Sequence, residues 1–301
     1  MIRPSPLLAL LFALACAGRQ DPPTTPEGRV REMPAPARIV DLRTGEEVDE
    51  LTMLADLRGA RAIYLGESHD DTLDHAMQYR LLRELHRQDG ALVLGMEMFQ
   101  RPYQAVLDDW TAGRLDEEAL RRRTEWDTRW GFDIRLYRPM LEFARARGVP
   151  VIALNARREL SRAVAMSGLE GLDEALRADV PAELDLEDEA HRALVMEALA
   201  EHPHGADEAA LERMYEAQVL WDETMAERVA AALEAGASRI VVLAGSMHVR
   251  AGLGIPRRAA RRGAEPWRVV LAVHEDDEET LEALLEAEPR PADYLWVHED
   301  E

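Results

Sequence analysis

Two carboxylates and two imidazoles stand out because each follows a short apolar run that carries a glycine at its end. Glu67 and His69 fall in Gly66-Glu67-Ser68-His69, Glu97 in Gly95-Met96-Glu97-Met98, and His248 in Gly245-Ser246-Met247-His248. Residues two apart on an extended chain share a face, so Glu67 and His69 can point into one pocket. A set of this kind has two chemical uses. It can ligate a divalent metal such as zinc, iron or manganese, or it can do general acid–base work without one, a Glu or His drawing a proton from water. Each residue taken singly reads as a solvated loop residue or a helix cap. Their recurrence after successive runs favours a shared functional pocket. Asn155, in Ala153-Leu154-Asn155, takes the same place after another run and could orient a ligand or a water. His75 and Gln78 lie three apart and share a helix face, either as partners of this set or as a polar helix edge.

The apolar runs are the elements that must position these groups. Strands are expected at Ala62–Gly66, Ala91–Met96, Pro150–Leu154, Arg239–Ala244 and Trp267–Val273. Amphipathic helices are expected over Leu73–Gln88, Pro102–Trp110, Asp116–Arg123 and Leu136–Arg147. Continuous apolar strands alternating with helices indicate an α/β fold with a mostly parallel sheet covered on both faces. Ligands of such sheets bind just beyond the carboxyl ends of the strands, where the polar set falls. Between strands three and four, about residues 157–225 lack strand signals and read as a helical subdomain inserted into the core. From Glu275 onward an acidic stretch is expected to end in a short helix and a tail with Tyr294 and Trp296.

Charge and the N-terminal segment limit the partners. The 58 Asp and Glu against 36 Lys and Arg give a net charge of −22, which argues against a nucleic-acid partner, since phosphate binding needs a basic surface. Met1-Ile2-Arg3 and the apolar run Leu7–Ala15 have the form of a signal peptide over residues 1–15, too short for a permanent span. Cys16, the one cysteine, follows Ala13-Leu14-Ala15. That spacing resembles a bacterial lipobox, with Ala13 where leucine is usual, and makes Cys16 the expected lipid anchor to a membrane. Residues 16–37, with prolines at 22, 23, 26, 34 and 36, should form an extended tether. Residues 38–301 then make up the folded domain.

Several runs together resemble the ChaN-type haem-binding uptake lipoproteins. They are Leu65-Gly66-Glu67-Ser68-His69, Gly95 to Arg101, Trp126 to Pro139, Ile152 to Asn155, Gln218 to Ala226 and Leu243 to His248. The resemblance covers about Ile39 to Arg262, and the Trp126-Asp127-Thr128-Arg129-Trp130-Gly131-Phe132 segment is its most specific part. It implies a Tiki/TraB/erythromycin-esterase-like α/β fold with Glu67, His69, Glu97 and His248 at the active-site positions. Some relatives in that wider group are metal-dependent peptidases and others are metal-free esterases. ChaN-type members imply an exported, iron-regulated outer-membrane lipoprotein. They hold haem between two subunits through a tyrosine, and hence imply a homodimer. Tyr215, the one tyrosine of the insertion, is the candidate haem ligand, and His191 a weaker candidate for a propionate contact. Three functions therefore fit the sequence: a membrane-tethered haem- or iron-binding lipoprotein in iron acquisition, a hydrolase using the strand-end pocket, and a non-catalytic surface module.

Overall fold

A computed structural model describes residues 36–88, 90–200 and 207–299 of the chain. Cys16, the signal-like run and the tether before Pro36 lie outside the described residues. The first strands, β1 (Arg38–Asp41) and β2 (Glu46–Val48), precede helix α1 (Glu50–Leu57). Strand β3 (Ala62–Glu67) leads through α2 (Thr72–Gln88) to β4 (Val93–Gln100). After a 3-10 turn come α3 (Gln104–Thr111), α4 (Glu117–Arg123), α5 (Trp126–Arg129) and α6 (Ile134–Arg147), then β5 (Val151–Asn155). The insertion comprises α7 (Arg158–Ser167), α8 (Glu174–Arg177), α9 (Glu189–Ala200) and α10 (Glu208–Glu234). Strand β6 (Ile240–Gly245) is followed by α11 (Ser246–Val249), α12 (Ile255–Ala260), β7 (Trp267–His274), α13 (Glu278–Glu286) and β8 (Tyr294–His298).

These strands form one eight-stranded sheet in the order β2-β1-β8-β7-β3-β6-β4-β5. From β8 to β5 every neighbouring pair is parallel, while β1 and β2 form an antiparallel edge. The five expected strands are all present, and β3 and β6 are buried at every position, as continuous apolar runs with helices on both faces must be. Alternation sorts their side chains: Ile63 and Leu65 join the core under α2 and α6, Ala62 and Tyr64 the core under α10 and α12.

Two expectations are corrected. The tail expected around Tyr294 and Trp296 is a strand: both residues sit in β8, each 1% exposed, because β8 pairs with β7 on one side and β1 on the other. The insertion does not stop near residue 225 either. Its last helix runs on to Glu234, and Met225, Ala226 and Val229 pack on the sheet, so one helix belongs to both subdomain and core.

Candidate functional site

Both glutamates are placed by strands that flank β6. Glu67 is the last residue of β3 and pairs in register with Gly245, the last residue of β6. Glu97 lies in β4 where its register with β5 shifts, between Met96 and Gln100, and its Oε2 accepts from the Gly245 backbone N–H at 2.7 Å. Gly245 is also where His69 arrives: a Cβ there would stand 2.8 Å from the His69 Cε1. Close approach of the imidazole therefore requires glycine at this position.

The four residues resolve into two imidazole–carboxylate pairs on either side of Gly245. In the first, His69 Nδ1 lies 2.9 Å from Glu67 Oε1, and the Tyr137 hydroxyl donates to the same oxygen at 2.6 Å. Gln78 Nε2 donates to Glu67 Oε2 at 2.8 Å and to the Leu65 carbonyl. His75 Nδ1 faces the Gln78 Oε1 at 3.1 Å, and its Nε2 donates to the His69 carbonyl. His75 and Gln78 are thus partners of the set and not a polar edge. In the second pair, His248 Nε2 is 3.3 Å from Glu97 Oε1. Its Nδ1 donates to Asp222 Oδ1 at 2.6 Å, with the Gln218 side-chain amide 3.1 Å from the same nitrogen.

Electrostatics favour charge separation within both pairs. Burial disfavours the Glu67 carboxylate, but His75, His69 and Tyr137 outweigh it and hold the group below its ordinary value. Burial likewise opposes ionisation of Glu97, yet the charge and hydrogen bond of His248, the His69 charge and the Gly245 N–H together outweigh it and hold the group at about 2. The imidazoles move the other way against their own burial. His69 is raised by Glu67 and Glu97, and His248 is raised well above 6.5 by Glu97 and Asp222. Both shifts favour the imidazolium form over the neutral ring, each backed by a fixed carboxylate. Such an arrangement donates protons or stabilises negative charge developing on an oxygen. His69 is the more open of the two, with 27% of its side chain exposed against 11% for His248.

This geometry alters the roles expected of the glutamates. Both oxygens of Glu67 are engaged, and those of Glu97 face Gly245 and His248, so neither is poised to take a proton from water. They position the imidazoles. Among the described residues, no three His, Cys, Asp or Glu side chains converge as a metal-ligand set. The carboxylate lone pairs point at hydrogen-bond donors, so the zinc, iron or manganese centre expected at Glu67, His69, Glu97 and His248 finds no support in the donor geometry.

Sequence reasoning missed Asp222 and Tyr137. Both lie in runs singled out for their family resemblance, but a buried acid inside a long helix gives no spacing signal of its own. Gln218, Trp221 and Asp222 share one face of α10, and all three meet His248. His191, expected near a propionate, is fully buried and donates from Nε2 to Asp222 Oδ2 at 2.9 Å. Arg258, which can only donate, faces the His191 Nδ1 at 3.2 Å and so fixes this tautomer.

Asn155 ends β5 and lines a cleft with Trp130 and Trp221. Those indoles pack on the two imidazoles, Trp130 on His69 at 4.7 Å and Trp221 on His248 at 6.2 Å between centroids. Through these indoles the cleft adjoins both pairs. Tyr215 lies elsewhere, inside the insertion: it is fully buried, its hydroxyl donates to the Leu186 carbonyl at 3.2 Å, and Arg192 covers its ring. Burial pushes the phenol up to about 12, away from the phenolate that a haem iron would need. The phenol is turned inward and offers no face to haem.

Residues 53–259 match the family described as haem-binding uptake, Tiki superfamily, ChaN. The chain belongs to this family. Its fold resembles a structure described as cofacial haem binding to ChaN of Campylobacter jejuni, with TM-score 0.66 and 19% identity over 86% of this chain and 95% of that one. An erythromycin esterase variant in its open conformation superposes with TM-score 0.46 at 14% identity, over 80% and 76% of the two chains. The chloroplastic Protein RETICULATA-RELATED 5 of Arabidopsis thaliana is 27% identical over 260 residues. Those residues are 80% of this chain and 34% of the plant protein, so the chain spans about a third of that relative's length.

Proposed function

We propose that this member of the ChaN family binds haem without using Tyr215, is tethered to the outer membrane by lipid on Cys16, and serves iron acquisition. The observation that carries this proposal is the family match over residues 53–259. A phenolate ligand has to come from another tyrosine than Tyr215. Tyr64, Tyr137 and Tyr294 are buried, and Tyr103 donates to Glu125. Tyr79 on α2 is half-buried, stands under Arg83, and packs edge-on against Phe143, which also meets His86 and Arg147. A ring surface bordered by two arginines suits an apolar macrocycle with propionates. Haemin titrated into the purified protein should give a saturable tyrosinate-like Soret shift that is lost in Tyr79→Phe. A saturable shift that survives Tyr79→Phe removes the ligand assignment; no saturable shift removes the haem function. Membrane attachment is tested separately: Cys16→Ser should move the protein out of the membrane fraction. Dimerisation follows from sedimentation with and without haemin.

A second reading, a hydrolase, rests on the two imidazole–carboxylate pairs, each packed on an indole that lines one cleft. In this role His69, the more exposed group, donates a proton to the leaving oxygen or nitrogen, while His248 stabilises charge on the carbonyl oxygen. His69→Asn should abolish hydrolysis of amide and ester substrates and leave haemin binding unchanged. The third alternative, a non-catalytic surface module, has no comparable observation in its favour.

A further inference from the structure

The cleft beside His69 and His248 is unlike the rest of this acidic protein. Its lining holds Arg129, Arg158 and Arg162 and, among the described residues, no carboxylate, although Asp and Glu outnumber Lys and Arg by 58 to 36. Arg129 is bound by Glu125 and Glu159, and Arg158 donates to the Thr128 carbonyl. Arg162 is exposed and forms no hydrogen bond or ion pair with the described residues, which leaves its charge to the cleft.

Two buried polar atoms face the same space without a partner: the Ser161 hydroxyl, on a residue 4% exposed, and the Asn155 Oδ1. Buried polar groups are nearly always hydrogen-bonded, and a departure calls for a partner. The demands differ in kind. Arg162 is a solvated cation open to an anion, Asn155 Oδ1 accepts and therefore needs a donor, and Ser161 serves either way. Trp130, Trp221 and Met98 supply apolar walls. The imidazoles of His69 and His248 pack on these indoles, at 4.7 and 6.2 Å between centroids.

We propose that this cleft binds a small carboxylic acid bearing an amide, of the N-acylated amino acid class. The carboxylate pairs with Arg162, the amide N–H donates to Asn155 Oδ1, the Ser161 hydroxyl donates to the ligand's oxygen, and an apolar side chain lies between the indoles. This deepens the hydrolase reading by naming what the site takes, but it concerns binding alone: binding without turnover sinks the hydrolase and leaves the inference standing.

The test is a calorimetric titration of the full chain with N-acetyl-L-phenylalanine, alongside its uncharged carboxamide and phenylacetate, which lacks the amide. The acid should bind saturably and quench tryptophan fluorescence, with both controls at least about tenfold weaker. Arg162→Ala and Ser161→Ala remove groups that bond to nothing in the described protein, so the fold is retained. They should weaken the acid about tenfold and about fivefold respectively. Absence of binding overturns the proposal, as does equal affinity for the carboxamide or an Arg162→Ala variant that binds unchanged. Loss of affinity for phenylacetate relative to the acid is what supports the amide; equal affinity discards the N-acyl class.

Discussion

His248 and Asp222 lie 2.6 Å apart across the seam between the end of the sheet and helix α10. Through this contact a helix of the insertion holds an imidazole of the strand-end site. Behind Asp222 the chain of contacts continues to His191 and Arg258, and ahead of His248 it reaches Glu97. Buried ionic groups linked in this way are a specific geometry more than a source of net stability. Removing one member, however, leaves the others buried and unpaired.

Stability should therefore depend on pH from both sides. The folded His248 titrates well above 6.5, so its contribution is complete below 6.5 and is lost as pH rises through the folded value. Glu97 and Asp222 are held below their ordinary values of 4.5 and 3.8. Their contribution is complete above those values and is lost as pH falls toward the folded ones, about 2 for Glu97. Urea midpoints should be highest between pH 4.5 and 6.5 and decline on either side. Asp222→Asn should lower stability by about 3–5 kcal/mol near pH 6 and flatten the alkaline decline. An unchanged alkaline decline in that variant would place the titrating group elsewhere.

The first pair makes a separate prediction. Against the burial of His69 and the neighbouring His248 charge, Glu67 is its principal favourable partner, with Glu97 adding to it. Glu67→Gln should bring the His69 titration down, readable from the imidazole proton shifts in NMR. If the hydrolase reading holds, the alkaline limb of the rate profile should move to lower pH by the same amount, since proton donation needs the imidazolium. Tyr137→Phe removes one 2.6 Å donor to Glu67 and should destabilise by about 1.5–3 kcal/mol, the range for a hydrogen bond to a charged group.

Gly245→Ala tests the crowding at the centre of the site. The added methyl would stand 2.8 Å from His69 Cε1 and 3.1 Å from its Nε2. The imidazole is the part able to move, because its side chain is partly exposed while β6 is buried throughout. Overpacking of this kind destabilises by about 1–3 kcal/mol. The expected signature is a His69 ring displaced from Glu67, with its titration lowered, while His248 titrates as before. If His69 keeps its titration, the backbone has yielded instead.

The sheet and its acid–base residues were largely legible because β3, β5, β6 and β7 are continuous apolar runs and the polar groups stand at their ends. Strands β1, β2 and β8 escaped notice for a physical reason. Glu46–Val48 is three residues long and two of them are glutamates, and the residues before Tyr294 are acidic and carry prolines, so burial of β8 is set by its neighbours and not by its own pattern. Four site residues could be placed from Gly-Glu-x-His, Met-Glu-Met and Gly-x-x-His. Asp222 and Tyr137 could not, because they reach the site from helices far along the chain, and only the folded packing of α6 and α10 brings them there.

Tyr215 gives the plainest separation of a structural role from a ligand role. Its hydroxyl donates to the Leu186 carbonyl, and its ring packs against Arg192 and, at 5.8 Å, against His191. Losing one neutral hydrogen bond costs about 1 kcal/mol, so Tyr215→Phe should lower the urea midpoint slightly. Haemin affinity and the Soret band should be unchanged, because the phenol faces the interior of the insertion. Tyr79→Phe should show the opposite pattern, with unaltered stability and a lost tyrosinate spectrum, since the Tyr79 hydroxyl bonds to none of the described residues. Were Tyr215→Phe to abolish the haemin spectrum, the insertion would have to open on binding, exposing a residue that this structure buries completely.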